Sequence, residues 1–411
     1  MLSLGFFTQL EEIVGTANCF RDDDSLNLYS ADKSKNKGSG DVVVRPRTVA
    51  EVASVARLCN ESRVPLTVRG AGTGYTGGAV PIQGGVVMSM EGFNRVIEID
   101  EMNLLAIVEP NVVTGDLQRA VEGVGLFYPP DPASLNQSVI GGNVAECAGG
   151  PRAFKYGTTK NYVLGLEAVL PTGEVVKTGG KTIKNVVGYD LTKLIVGSEG
   201  TLAIITKVIL RLIPKPRSRE TLRATFTSID SAVKAVVGLI QERIIPAAME
   251  LIDQRSLDAV AQHLEDRTLA PDGTGALLLI EVDGTEVTVE EEAALVESSC
   301  VKAGATEVLR STNDDERNEL WRVRRELSPS LRTIADLKIN HDVVVPRSGI
   351  TSLFEFIQQL RERFNLTIAC FGHIGDGNIH VNIMVDSADA EAVSRSHQAE
   401  LALFTEIVRL E

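Results

Sequence analysis

The chain has 411 residues, too many for one ordinary hydrophobic core, so two or three domains are expected. A formal net charge of −14, with 44% hydrophobic and 23% charged residues, excludes a nucleic-acid-binding surface, and the one basic stretch, 211–219, is short, proline-broken and reads as a linker. No run approaches the roughly 20 apolar residues that span a bilayer; the opening MLSLGFFTQLEE has no basic region of a signal peptide, and Cys19, Cys59, Cys147, Cys300 and Cys370 form no CxxC pair, which suits a reducing cytoplasm and excludes a local iron–sulfur or Cys-zinc motif.

After Pro46, Thr48 and Glu51 form a capping box, and Val52, Val55, Ala56 and Cys59 then fall on one helical face. Pro65 precedes a strand, LTVRG, that runs into the loop GAGTGYTGGA at 70–79; short strands are expected over 85–90, 96–100 and 104–109. The loop formally satisfies GxGxxG at 72–77. A dinucleotide-binding Rossmann unit needs a helix directly after the glycines and an acidic residue roughly 20 positions later. Gly78-Ala79-Val80-Pro81 and Gly84-Gly85 forbid that helix. What remains is a run of backbone N–H groups free to converge on an anion, a phosphate-binding nest without a helix dipole.

Residues 130–205 are dense in glycine, with little long helical pattern, and close on strands over 203–208 and 209–213. Composition changes at Pro214 and Pro216, the expected domain boundary. Beyond it, amphipathic helices over 231–243, 287–303 and 314–327 alternate with strands over 276–282 and 338–345, which predicts an antiparallel sheet with helices on one face. The whole is α+β in class.

Near the end stands His373-Ile374-Gly375-Asp376-Gly377-Asn378-Ile379-His380. Strand alternation puts His380 and Asn382 on one face, and the Gly-Asp-Gly turn can return His373 beside them. An imidazole pair at such a turn suits a divalent metal. Upstream, Trp321-Arg322-Val323-Arg324-Arg325 lies on a predicted helix, and a guanidinium there can grip a carboxylate bidentately.

Pro129-Pro130-Asp131-Pro132, SLNQSVIGGNVAECAGGPRAFKYGTTKNYVLGLEAVLPTGEVV (134–176) and GYDLTKLIVGSEGTLAIITKVILRL (188–212) carry a family resemblance. From about residue 40 onward the chain closely resembles the FAD-linked oxidases of the vanillyl-alcohol-oxidase-like superfamily. Within it, the chain is similar to the catalytic D subunit of glycolate oxidase and to D-lactate and D-2-hydroxyglutarate dehydrogenases. The resemblance implies an N-terminal segment (1–40), a two-subdomain FAD-binding domain of PCMH type (41–216) and an antiparallel α+β substrate cap (217–411). It implies that Ala71, Gly72, Thr73, Gly74, Tyr75 and Thr76 cradle the FAD pyrophosphate. Ser134, Gly141, Gly142 and Asn143 line the ribityl and ring, with Gly149 and Gly157 nearby, and Glu199, Gly200 and Ile204 lie toward the adenine or pyrophosphate end. Some relatives tether the flavin through a histidine where Thr73 stands, so non-covalent FAD is expected.

In the resembled dehydrogenases the two histidines, here His373 and His380, hold a divalent metal, zinc or manganese, with a glutamate from a Glu-His-Gly segment farther on. That segment is expected just beyond Glu411, so the chain reads as truncated and its metal site as incomplete. Position after Trp321 matches Arg325 to the family's substrate-binding arginine, and Lys338 is expected as a second carboxylate contact; Arg325, Lys338, His380 and Asn382 form the catalytic set. The implied reaction is FAD-dependent oxidation of a small D-2-hydroxy acid, glycolate or D-lactate. Electrons then pass to an iron–sulfur subunit, an electron-transferring flavoprotein or a quinone. The chain is expected to be cytoplasmic, peripheral to the inner membrane at most through a partner. Two other readings stand beside it: a non-catalytic flavin-binding or electron-relay subunit, and a flavoprotein of the same fold acting on an aromatic alcohol or nucleotide sugar.

Overall fold

Apolar periodicity builds the first element. In the computed structural model, which describes residues 2–34 and 36–410, the helix Leu4–Val14 buries Phe6, Phe7, Leu10 and Val14. They enter the same core as Val52, Val55, Ala56 and Cys59 of the helix Val49–Ser62. This helix, which falls in the stretch 1–40 expected as a segment of its own, therefore packs as part of the first unit. The Thr48 hydroxyl accepts from the Glu51 N–H at 3.2 Å, and the Glu51 carboxylate reaches back to the Arg47 N–H at 2.8 Å. The cap thus forms with its return bond shifted by one residue; a cap of this kind contributes about 1 kcal/mol.

The chain divides into two compact units, one running to Gly150 and resuming over Gly157–Lys215, the other comprising Pro151–Tyr156 and the residues from Pro216 onward. In the first, Val42–Val44, Val86–Ser89 and Leu66–Arg69 form a parallel set edged by Cys19–Phe20. A second, antiparallel sheet runs in the order Val96–Asp100, Leu105–Val108, Ile204–Arg211, Val163–Val169, Val175–Gly179. The two strands expected over 203–213 are chiefly one, Ile204–Arg211.

The second unit is built on a seven-stranded antiparallel sheet. Its order is Glu307–Arg310, Ser218–Phe226, Ala276–Gly284, Ala248–Asp253, Thr367–His373, Asn378–Val385, Leu337–Val344. Helices Ile229–Gln241, Glu286–Lys302, Ile350–Phe364 and Ala390–Leu410 pack on one face. The sequence predicted helices on that side alone. Instead, Leu257, Val260, Val323 and Leu327 of the helices Gln254–His263 and Asp314–Ser330 pack on the other face, against Ile252, Leu277, Leu279 and Phe371. The reason is alternation: Leu277 and Leu279 are as buried as Leu278 and Ile280, so both faces of this strand need a cover. Pro151–Tyr156 is tied to this unit by Lys155 Nζ and Tyr156 Oη, which donate to the two carboxylate oxygens of Asp283 at 2.6 and 2.7 Å.

Candidate functional site

In the first unit the strand Leu66–Arg69 delivers the chain into the glycine loop, and no helix follows it. Gly72 holds φ at +66°, and a side chain there would collide with the Arg69 guanidinium. Gly141 abuts Pro110, and its N–H donates to the Pro110 carbonyl at 2.6 Å. These are positions where only a bare backbone fits. The resulting cleft is lined by Ala71, Gly72, Thr73, Gly74, Thr76, Ser134, Gly141, Gly142, Asn143, Glu199, Gly200 and Ile204. Asp32 and Glu146 join Glu199 on its wall. The Glu146 carboxylate accepts from the Thr76 hydroxyl at 3.1 Å. Burial raises its pKa, the Thr76 bond offsets part of that rise, and Glu199 and Asp32 add to it by repulsion.

In the second unit strand register gathers a different set. Glu250 faces His373 across one strand pair, and both Asp342 and Phe371 face His380 across two others. Side chains of directly paired residues share a sheet face. The fully buried Glu250 accepts from Arg324 Nε on Oε2 and from His373 Nδ1 on Oε1. Asp342 Oδ1 lies 2.5 Å from His380 Nδ1. The two imidazoles stand 5.3 Å apart, nearly perpendicular. Burial alone would raise the Glu250 carboxyl, but the charges and hydrogen bonds of Arg324 and His373 hold it well below the usual range. Burial draws the His373 imidazole down, and the adjacent Glu250 carboxylate more than reverses it, so the net shift is upward. Each ring thus has Nδ1 committed to a carboxylate, the arrangement by which histidines are oriented in metal and acid–base sites.

Residues 40–179 match the FAD binding domain family and residues 215–411 match the FAD-linked oxidase C-terminal domain family. The chain is 41% identical to the glycolate oxidase subunit GlcD of Bacillus subtilis over 98% of its own length and 85% of that protein's. The chain belongs to the FAD-linked oxidases. This oxidase is also 36% identical to a D-lactate dehydrogenase of Anaerostipes hadrus, over 84% of the present chain and 74% of the other. Among solved structures, alkyldihydroxyacetonephosphate synthase superposes with a TM-score of 0.80 at 19% identity, covering 99% of the oxidase and 80% of that chain. Substrate-bound p-cresol methylhydroxylase gives 0.79 at 17% identity, covering 98% and 88%. These two likenesses establish the PCMH-type fold.

The oxidase departs from the sequence expectations at several positions. Tyr75 is largely exposed and, like Gly149 and Gly157, does not line the cleft. Gly157 instead serves a turn, at φ +81° against Asn161. Arg325 donates Nη2 to the Asn318 carbonyl on the exposed side of its helix, and it is Arg324 that reaches the histidine cluster. The helical period decides this, since Val323 and Leu327 are buried and Arg324 flanks that stripe. Lys338 Nζ donates to Ser328 Oγ at 2.8 Å. Asn382 shares the face of His380, donates to the Ala369 carbonyl at 3.1 Å, and leaves its buried Oδ1 without a hydrogen-bond partner among the described residues. Sequence reasoning missed Glu250, whose one signal was a lone acid inside the apolar run AAMELI. Among the described residues no group of three or more His, Cys, Asp or Glu is placed to hold a metal ion, so the divalent site expected on His373 and His380 finds no support in their arrangement. No helix of the described residues is long and apolar enough to cross a membrane.

Proposed function

We propose that this oxidase converts a small D-2-hydroxy acid, of the glycolate or D-lactate class, to the 2-oxo acid. The observation that carries the reading is the His373–His380 pair, each ring backed by a carboxylate, with the Arg324 guanidinium joined to the same cluster through Glu250. Arg324 keeps its Nη groups for a substrate carboxylate while Nε holds Glu250, a charge-assisted grip that fixes one end of the molecule. His380, with Asp342 behind it, accepts the hydroxyl proton as the carbon–hydrogen bond breaks, and the carboxylate stabilises the imidazolium that forms. FAD bound in the glycine cleft supplies the hydride acceptor.

A divalent ion such as zinc or manganese on the same two histidines is the second reading, supported by the carboxylate backing of both rings. In the first reading the proton passes directly to His380. The electrons leave to a separate acceptor, an iron–sulfur subunit, an electron-transferring flavoprotein or a quinone; relatives named as glycolate oxidase subunits support this. The five unpaired cysteines support a cytoplasmic setting.

Anaerobic mixing with glycolate, D-lactate and D-2-hydroxyglutarate tests the proposal. The flavin absorbance should bleach with one 2-oxo acid formed per flavin, and L-isomers should react far more slowly. No bleaching by any of the three acids would overturn it. Rates that survive excess chelator favour direct proton transfer, and rates lost with metal and restored by it favour the ion.

A further inference from the structure

Glu250 is the most deeply placed charge in the histidine cluster, with no exposed surface. A buried ion pair is weak evidence of a purely stabilising role, because apolar residues of similar volume fill such space as well or better. Here only one carboxylate oxygen serves the ion pair. Oε2 takes the Arg324 Nε–H, and Oε1 is spent on His373 Nδ1. An ionised carboxylate is an acceptor only, so the His373 nitrogen that meets it must carry hydrogen. In the neutral ring the lone pair is then on Nε2. Register makes the arrangement rigid, since Glu250 and His373 are direct partners on neighbouring antiparallel strands and Arg324 closes the far side.

We propose that Glu250 is a positioning residue that locks His373 in the Nδ1–H tautomer, with Arg324 holding Glu250 in place, so that the Nε2 lone pair faces the reacting molecule. This deepens the function proposed above and rests on it for the meaning of that lone pair, which would accept a hydrogen bond from the bound molecule in the first reading or ligate the metal ion in the second. The device is asymmetric with respect to the second histidine. Among the described residues Asp342 pairs with no arginine, and Asn340 Nδ2 lies 3.4 Å from the same oxygen that meets His380. An amide at 342 can still turn its one carbonyl to His380. An amide at 250 cannot serve both neighbours: Arg324 takes the carbonyl, the NH₂ faces His373 Nδ1, and the ring proton must move to Nε2.

The test is a long-range ¹H–¹⁵N correlation spectrum of the full chain labelled in its five histidines, recorded at a pH where the rings are neutral and assigned with His373→Gln. His373 should show the Nδ1–H pattern. Glu250→Gln should convert it to Nε2–H, leave His380 unchanged, and lower turnover with 2-hydroxy acids by about 10–100-fold at unaltered flavin content. An Nε2–H pattern for His373 in the unsubstituted protein overturns the proposal without any variant, which covers the case in which Glu250→Gln does not fold. So does a folded Glu250→Gln protein whose His373 pattern is unchanged. The expected tautomers in a protein that oxidises none of the acids would uphold the positioning role and overturn the function reading instead.

Discussion

Asp342 sits directly across the strand pair from His380, with its Oδ1 2.5 Å from Nδ1. The ring is thereby aimed by a partner 38 residues away in sequence, and in the proposed reaction the carboxylate would stabilise the imidazolium. Asp342→Asn should lower turnover by about 10–100-fold and leave FAD content and the affinity for substrate carboxylate nearly unchanged. His380→Ala should abolish turnover and keep the protein yellow. Stopped-flow reduction of the bound flavin measures both, and wild-type rates in His380→Ala would remove the histidine from the mechanism.

Arg324 and Arg325 are adjacent in sequence and make a sharp contrast. Arg324→Lys keeps the charge but loses the planar fork, so KM for 2-hydroxy acids should rise by roughly 30- to 100-fold, the equivalent of about 2–3 kcal/mol. Arg325→Ala, which loses only a surface contact to the Asn318 carbonyl, should stay within about twofold of wild type. The reverse order of effects would restore Arg325 as the anchor.

The glycine loop gives a second contrast, because Gly72 has a left-handed φ and Gly74 is not among the residues of positive φ. Gly72→Val adds backbone strain of about 1–3 kcal/mol and a collision with Arg69. It should yield folded, colourless protein, whereas Gly74→Ala should bind FAD. Acid precipitation of the wild type should release all flavin to the supernatant, since Thr73 offers no imidazole for a covalent link; colour retained in the pellet would contradict this.

Glu146 should make FAD binding depend on pH. Its carboxyl is already raised, and if the FAD pyrophosphate enters the cleft that Glu146 lines, the added negative charge should raise it further, so that binding takes up a proton. Affinity should be strongest below the raised pKa and weaken as pH climbs through it. Glu146→Gln should flatten that profile and tighten FAD at neutral pH by roughly tenfold, the size of a repulsion of about 1.4 kcal/mol. Fluorescence titration of the flavin-free protein against pH reads it; affinity that rises with pH would reverse the assigned sign.

Local chemistry was readable before any fold. Pro81 and the glycines around it forbid a helix after the loop, which alone disposes of a Rossmann unit, and Thr48, set three residues before Glu51, announces its helix. The turn at Gly375-Asp376-Gly377 returns His373 toward His380 within eight residues, so that pairing too was legible from alternation and a tight turn. Long-range register was not. Glu250 meets His373 across 123 residues and Arg324 across 74, and no period in the sequence encodes which strand lies beside which. Two arginines one position apart differ by about 100° around a helix axis, and only the packing of Val323 and Leu327 against the sheet decides which of them turns toward the histidines. The residues that supply donors and lone pairs are written locally. Which carboxylate orients each of them is set by strand order in the folded sheet.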